Sequence, residues 1–484
     1  MNLLWTRMKK DCGRSKEKIE GDRREAEMMV GENLVCISNL KGVDKEKYKA
    51  AVLPRIAEVV LGCKDAELQQ YLMDAVVQAF PDDFHLYTLE DFLGLLGKLS
   101  PEVAATEVLR ELLRRLTTFA ASSPDALAKL DTEKGLMKIL TDSVARIIDS
   151  SVERTPLLKI LDLCVSFLHF VTKAFPNHGE HINFALDICS KSLQLRPAAT
   201  KGPDELQSLF KLLVLPIGSM GLGILTLSLY PDLMSKSLPT SMQHTLSLAI
   251  LNMALLTGKK QPITSPESAE KLAKLLIPLR GEPSDLPKLL HSIRCPVLSG
   301  QLRALKPFKD LLCVGMRPAF VWELYRLGHQ LAVLLEDGQT PDGNESSVMG
   351  EVYDLAYEAT KEMIAGSAIA LLLQGVVSMG HRSALESYAE KYMIRAMELY
   401  EDEIADSDAR FRGLTMMIGC MVQSSVFSDE TYTNLAQRVS KSSVKLLKKS
   451  EQCKAVLMCS HMYWAMEQVY RSGEEPSSSL KSSS

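Results

Sequence analysis

Aromatic residues make up only 6% of the chain, no CxxC pair occurs among its ten cysteines, and Lys and Arg do not outnumber Asp and Glu. Each shortage excludes something. Strand-rich domains lean on aromatic and β-branched side chains, so an apolar content carried by Leu, Ala, Met and Val favours helix. The cysteines, at 12, 36, 63, 164, 189, 295, 313, 420, 453 and 459, sit mostly inside apolar helical patterns, as Cys164 does in LDLCVSFLHF. That usage suits the reduced thiols of a cytosolic protein and not a disulfide framework. A net charge of −4 offers no basic surplus to neutralise phosphates, so no nucleic acid is expected as a partner. The N-terminus has a four-residue apolar stub before a dense charge run, the reverse of a secretion signal.

What is present is helical periodicity. It recurs in Asp65–Phe80, Pro101–Ser122 and Gly135–Asp149, and no convincing alternating strand occurs. Pro101 suits a first helical turn, with Ser100 before it as the N-cap. The breaks are short and polar, and helices begin about every 20 residues, so a repeat unit comes near 40. That is the period of HEAT-like hairpins, which stack because one hairpin cannot bury its own apolar face. The expected fold is all-α: an extended HEAT-like α-solenoid. Its expected organisation is a charged, poorly ordered segment (1–30), a first solenoid part (31–335), a disordered loop (336–347), a C-terminal solenoid part (348–471) and a disordered Ser-rich tail (472–484). No polar capping helix is evident, so the chain is expected to be a fragment or to have its ends covered by another subunit.

Two uncharged segments raise an alternative, an integral membrane protein spanning near 212–258. Leu212–Tyr230 is about long enough to cross a bilayer, but Pro216, Gly218, Gly221 and Gly223 interrupt it. Thr240–Gly258 contains Gln243, His244 and Asn252. Two buried helices are the preferred reading, since an all-round apolar helix equally marks a large core.

Signals for chemistry are thin, and neither an enzyme nor a cofactor is expected. GSMGLG (Gly218–Gly223) has its glycines in the wrong order for a dinucleotide fingerprint and lacks the glycine a nucleophile elbow needs at Ile217; it reads as glycines that let helices pack closely. Gly258–Lys260 lacks the upstream glycine of a phosphate loop. His178 and His181 have no third ligand nearby, and Cys453, Cys459 and His461 cannot converge on one ion from a single helical face.

The most charged corner is LYEDEIADSDAR (Leu399–Arg410). Periodicity puts Leu385, Tyr388, Tyr392, Met393, Ala396, Tyr400 and Ile404 on one helical face, so Glu401, Asp402 and Glu403 fall in the last turn, where the helix dipole opposes them. Asp406 or Ser407 then caps the next helix, whose apolar face includes Phe411, Leu414, Ile418 and Met421. One repeat later, SSVKLLKK sets Lys445, Lys448 and Lys449 at i, i+3 and i+4, a single basic face on a last turn. An acidic and a basic corner one repeat apart can bridge repeats within a chain, or pair across a two-fold axis between chains.

Two blocks resemble a known family. One is YLMDAVVQAFPDDFHLYTLEDFL (Tyr71–Leu93), preceded by Asn33–Val60; the other is LYEDEIADSDARFRGLTMMIGCM (Leu399–Met421), continuing through VFSDETY, SVKLLKK and CSHMYWA. Both look like the vacuolar protein sorting-associated protein 35 family, the large subunit of retromer, and LLLQGVVSMG (Leu371–Gly380) adds a weaker match. The resemblance implies a non-enzymatic scaffold, cytoplasmic and peripheral on endosomal membranes, that retrieves membrane cargo toward the Golgi or plasma membrane and meets that cargo indirectly. In the family the C-terminal solenoid cradles a phosphoesterase-like subunit (vacuolar protein sorting-associated protein 29). The N-terminal end grips an arrestin-like subunit through a Pro-Arg-Leu-Tyr-Leu motif. That motif is absent, and LPRIAEV (Leu53–Val59) is no substitute, which argues against the arrestin-like partner. The family's coat joins large subunits through their C-terminal halves. A homodimer is therefore expected, with Glu401, Asp402, Glu403 and Asp406 of one copy facing Lys445, Lys448 and Lys449 of another.

Overall fold

A computed structural model of the chain describes residues 16–63, 65–122, 135–151, 154–175, 179–195, 202–282, 285–336 and 345–472. Among these residues the fold is all-α, and β structure is limited to an isolated bridge between Ile263 and Ile293. Two compact units are present, Met1–Ala249 and Ile250–Ser484. The first holds α1 (Lys16–Ser38), α2 (Leu53–Gly62), α3 (Ala66–Ala79), α4 (Asp82–Tyr87), α5 (Leu89–Leu96), α6 (Ala105–Ser122), α7 (Leu136–Ser151), α8 (Leu157–Ala174), α9 (Gly179–Gln194), α10 (Pro203–Met220) and α11 (Tyr230–Ser237). The boundary falls in α12 (Thr240–Gly258) and not at 336–347. The second unit continues with α13 (Pro266–Leu275), α14 (Leu286–Leu290), α15 (Leu298–Leu305), α16 (Arg317–Glu336), α17 (Glu345–Thr360), α18 (Ala365–Met379), α19 (Glu386–Asp402), α20 (Ser407–Gln423), α21 (Asp429–Ser443) and α22 (Lys449–Ser472).

Each unit is built as the period predicts. In the second, α16, α18, α20 and α22 pack in succession as one layer, α17, α19 and α21 form the other, and adjacent helices pair as hairpins. In the first, α6, α8 and α10 stack in the same way. Ties between successive hairpins carry the repeat length. Ser208 Oγ donates to Asp162 Oδ1 at 2.6 Å, Lys306 Nζ to Glu351 Oε2 at 2.7 Å, and Ser428 N to Glu386 Oε1 at 2.8 Å, across 46, 45 and 42 residues.

The scarce aromatics fasten one helix to another. Tyr325 Oη donates to Leu371 O (2.9 Å), Tyr392 Oη to Tyr353 O (2.5 Å) and Tyr432 Oη to Met462 O (3.0 Å), all from buried rings. A buried Tyr hydroxyl needs such a partner. Gly375 makes the closest of these approaches possible, because a Cβ there would lie 2.5 Å from Tyr325 Oη and 2.6 Å from Tyr392 Cε2.

Four hairpin turns share a second device. Gln69, Gln243, Gln301 and Gln452 are each the fourth residue of their helix, in α3, α12, α15 and α22. Each side chain folds back over the turn before it. Gln69 Nε2 donates to Val60 O (3.2 Å) and Cys63 O (2.7 Å), Gln243 Nε2 to Ser235 O (2.9 Å) and Leu238 O (2.8 Å), and Gln452 Nε2 to Val444 O (3.0 Å) and Leu446 O (2.6 Å). Gln301 uses both ends of its amide, giving a proton to Ile293 O (2.9 Å) and taking one from Cys295 N (2.7 Å). The last carbonyls of a helix have no intrahelical donor, and a primary amide with two N–H groups satisfies a pair of them at once.

Several expectations need correcting. The charged segment 1–30 is helical from Lys16 onward, within α1. Helix α17 already begins at Glu345, while 337–344 and the tail 473–484 lie outside the described residues. Helix α6 starts at Ala105, not Pro101. Ser100 N donates instead to Gln69 Oε1 at 3.1 Å, and Val103 N donates to Ser100 O, which fixes a turn there. Leu212–Tyr230 is not one helix. Helix α10 ends at Gly221, whose φ of +57° lies in the left-handed region glycine favours, and a 3-10 stretch, Gly221–Thr226, follows. So Gly221 ends the helix, a Cβ at Gly218 would meet nothing within 4 Å, and one at Gly223 would meet only Met220, at 3.2 Å. Pro203–Thr226 is long and apolar enough to cross a membrane, with mean hydropathy 1.8. Yet Tyr230 Oη returns to donate to Leu213 O at 2.6 Å, whereas a straight helix would hold those residues about 25 Å apart.

Candidate interaction surface

The acidic corner lies where α19 gives way to α20. Tyr392, Met393, Ala396 and Tyr400 are buried as the periodicity requires, which turns Glu401, Asp402 and Glu403 outward, all exposed. Asp406 is the N-cap of α20, its Oδ2 accepting from Ala409 N at 2.8 Å. The last turn of α19 is relieved by a residue that sequence reasoning missed. Arg410 Nε donates to Ile404 O at 2.6 Å and Arg410 Nη2 to Glu401 O at 3.4 Å, with the guanidinium 5.9 Å from the centre of the Tyr400 ring. A cation on the carbonyl end of a helix offsets the acids that oppose the dipole there. Arg438, also missed, pairs with Glu401 Oε2 at 3.3 Å from one repeat further on. The signal was available, since Arg438 stands 37 residues after Glu401, close to the repeat length.

The lysines do not form one helical face. Helix α21 ends at Ser443, Lys445 sits in the turn beyond it, Lys448 is just before α22 and Lys449 is its first residue. Lys448 and Lys449 stand at a helix N-terminus, where the dipole disfavours them, so the last-turn account fails for both, while Lys445 lies two residues past the end of α21. Acids make up for it: Lys448 Nζ lies 2.5 Å from Asp408 Oδ1 and 3.1 Å from Glu451 Oε1. The bond to Lys448 lowers the Asp408 pKa, and Asp408 followed by Glu451 raises that of Lys448. One acid and one base of the two corners are thus joined within the chain. Asp402, Glu403, Lys445 and Lys449 take part in no ion pair among the described residues.

Beside this corner α22 shows an exposed apolar stripe, in which the Tyr463 hydroxyl alone makes a side-chain hydrogen bond, with Ser440 Oγ at 3.3 Å, among the described residues. Val456, Leu457, Tyr463 and Trp464 recur at i, i+1, i+7 and i+8, and Leu457 and Trp464 are 69% and 60% exposed. Contiguous exposed apolar surface of this kind marks a site of contact.

The FPDDFHL block is a packed corner. Asp82 pairs with Arg115 at 2.7 Å and Asp83 with Lys45 at 3.1 Å, while the Phe80 and Phe84 rings stand 4.6 and 5.3 Å from that of Tyr48. Burial, with the Arg115 charge nearby, lowers the His85 pKa to about 4, and its Nε2 faces Val77 O at 3.2 Å. A neutral buried imidazole with one backbone partner holds structure. Among the described residues no group of three or more His, Cys, Asp or Glu could hold a metal ion. Cys459 is buried, Cys453 and His461 are exposed, and His178 lies outside the described residues.

The family profile described as Vacuolar protein sorting-associated protein 35 matches residues 1–484. Vacuolar protein sorting-associated protein 35B of Arabidopsis thaliana is 29% identical over 500 residues, 96% of this chain and 61% of that protein. The Dictyostelium discoideum protein 35 is 26% identical over 99% of this chain and 65% of its own length, and that of Schizosaccharomyces pombe 24% over 96% and 61%. The chain therefore spans less than two thirds of the length of these relatives. With a match that runs through all 484 residues, it belongs to the vacuolar protein sorting-associated protein 35 family.

Proposed function

We propose that the chain is a non-enzymatic scaffold segment of the retromer coat, peripheral on the cytosolic face of endosomal membranes, that organises partner subunits for retrieval of membrane cargo. Family membership supports this reading, and the α22 stripe is the observation that carries it, since stacked hairpins offer surface and not chemistry. The phosphoesterase-like subunit is the partner to test. Immobilised, it is expected to capture the chain, and Leu457→Glu with Trp464→Glu should weaken capture about thirtyfold or more, because a central Trp carries a large share of such a contact. Equal capture of both proteins would remove the stripe from the reading, and no capture of either would remove the partner.

The corner charges belong to the same proposal, in narrower form than the sequence alone suggested. With Lys448 engaged to Asp408 and Glu401 to Arg438, Asp402 and Glu403 of one copy are left to face Lys445 and Lys449 of another. Exposed pairs are weak and screened by salt. Sedimentation at low salt should show self-association that Lys445→Glu with Lys449→Glu abolishes and that added Asp402→Lys with Glu403→Lys restores. A chain whose sedimentation is the same in all three forms has no such interface.

A further inference from the structure

Between the end of α5, the turn that leads into α6, and the second half of α7 lies a cavity of about 380 Å³, within the first unit. Its size falls in the range of ligand sites. The floor is apolar, formed by Leu96, Leu99, Val103 and Ile147, of which Leu99 is only half-buried. Two arginines, Arg146 and Arg154, stand at the edge, both exposed. Neither forms an ion pair or a hydrogen bond among the described residues. Asp142 and Asp149 are one helical turn from Arg146 in α7, yet neither is bonded to it. This is uncommon here, since Arg55, Arg110, Arg114, Arg115, Arg303, Arg317, Arg326, Arg395 and Arg438 are all paired. The hydroxyl-bearing Ser143, 5% exposed, also lines the wall.

We propose that this cleft is a docking site for a short acidic segment of another protein, an extended peptide that sets an aliphatic side chain on the floor and a carboxylate against Arg146 and Arg154. The apolar floor asks for a side chain, and two unengaged guanidinium groups ask for an anion, which they can grip through paired N–H donors. A lipid headgroup or other polyphosphate suits the site less well. Asp142 and Asp149 flank Arg146 and Glu102 is exposed on the turn, and these acids repel a headgroup bearing several phosphates more than a peptide bearing two carboxylates.

The test is fluorescence anisotropy with a labelled peptide of two glutamates, a serine and two leucines, against the full chain at low ionic strength. Saturable binding is expected, and Arg146→Glu with Arg154→Glu should weaken it about tenfold or more. A peptide with lysines in place of its glutamates should bind that variant better than it binds the unaltered chain. Gly97→Phe supplies a route that does not depend on charge. Gly97 lines the cleft, is exposed, and a Cβ there meets only backbone oxygens at 3.8 and 3.9 Å, so the ring can fill the cavity without disturbing the helix. It should abolish binding while the thermal transition stays in place. Absence of saturable binding, or binding that survives both changes, overturns the proposal, and so does stronger binding of vesicles containing anionic phospholipid than of the peptide.

Discussion

The Gly375→Val variant is expected to unfold about 10 °C below the unaltered protein. At Gly375 the new Cβ would lie 2.5 Å from Tyr325 Oη and 2.6 Å from Tyr392 Cε2. Neither ring can step aside, because both are buried and both hydroxyls are tied to main-chain carbonyls, Leu371 O and Tyr353 O. Helix α18 must move outward, or the rings must leave and abandon those carbonyls. Overpacking costs about 1–3 kcal/mol and each deserted buried polar group about as much again. For a unit of this size, about 4 kcal/mol corresponds to the shift named. Gly366→Ala, on the same helix with nothing within 4 Å, provides the contrast and should hold or raise the transition. Circular dichroism melts of both decide it, and a Gly375→Val transition within 1 °C of the unaltered protein would show that the rings are not fixed.

The second large effect concerns Gln69. Its amide binds Val60 O, Cys63 O and Ser100 N, so one buried side chain joins three segments. Gln69→Leu keeps the volume and removes every bond. Val60 O keeps its bond from Cys63 N, so the two stranded groups, Cys63 O and Ser100 N, should cost about 2 kcal/mol together, read as a lower urea midpoint with unchanged slope. Exchange of the Ser100 amide hydrogen should accelerate in the same variant. Gln452→Leu should cost less, since Val444 is exposed and its carbonyl can turn to water. Equal losses at the two positions would mean that burial is not what gives Gln69 its weight.

Helices and hairpin period were legible because apolar spacing reports them directly: Tyr392, Met393, Ala396 and Tyr400, which the pattern names, are buried in α19, and Asp406 caps as its position demands. What failed was local punctuation. A proline that could open a helix at 101 belongs to a turn, because a glutamine 31 residues earlier takes the amide of Ser100. A basic triplet reads alike at the end of one helix and the start of the next; the break between Val444 and Lys448 decides, and three residues carry little signal. The glutamines escaped notice for another reason. Polar residues near a helix start look like solvent-facing ones, and only their shared fourth position after a turn, seen across four hairpins, separates them. The free pair Asp402 and Glu403 was found by charge density, while Arg438 needed the repeat geometry and Arg410, six residues from Ile404, needed the shape of the turn.

The ties between successive hairpins also bear on how the chain comes into being. The hydrogen bonds named above reach at most 46 residues along the sequence. A pair of helices emerging from the ribosome needs only the hairpin before it to complete its contacts, so the C-terminal half is not required for the N-terminal half to consolidate. Short-range closure of this kind keeps the ordering entropy of each step small and shortens the time that apolar faces wait uncovered. Synthesis can thus set the order of folding, hairpin after hairpin, at the pace of translation.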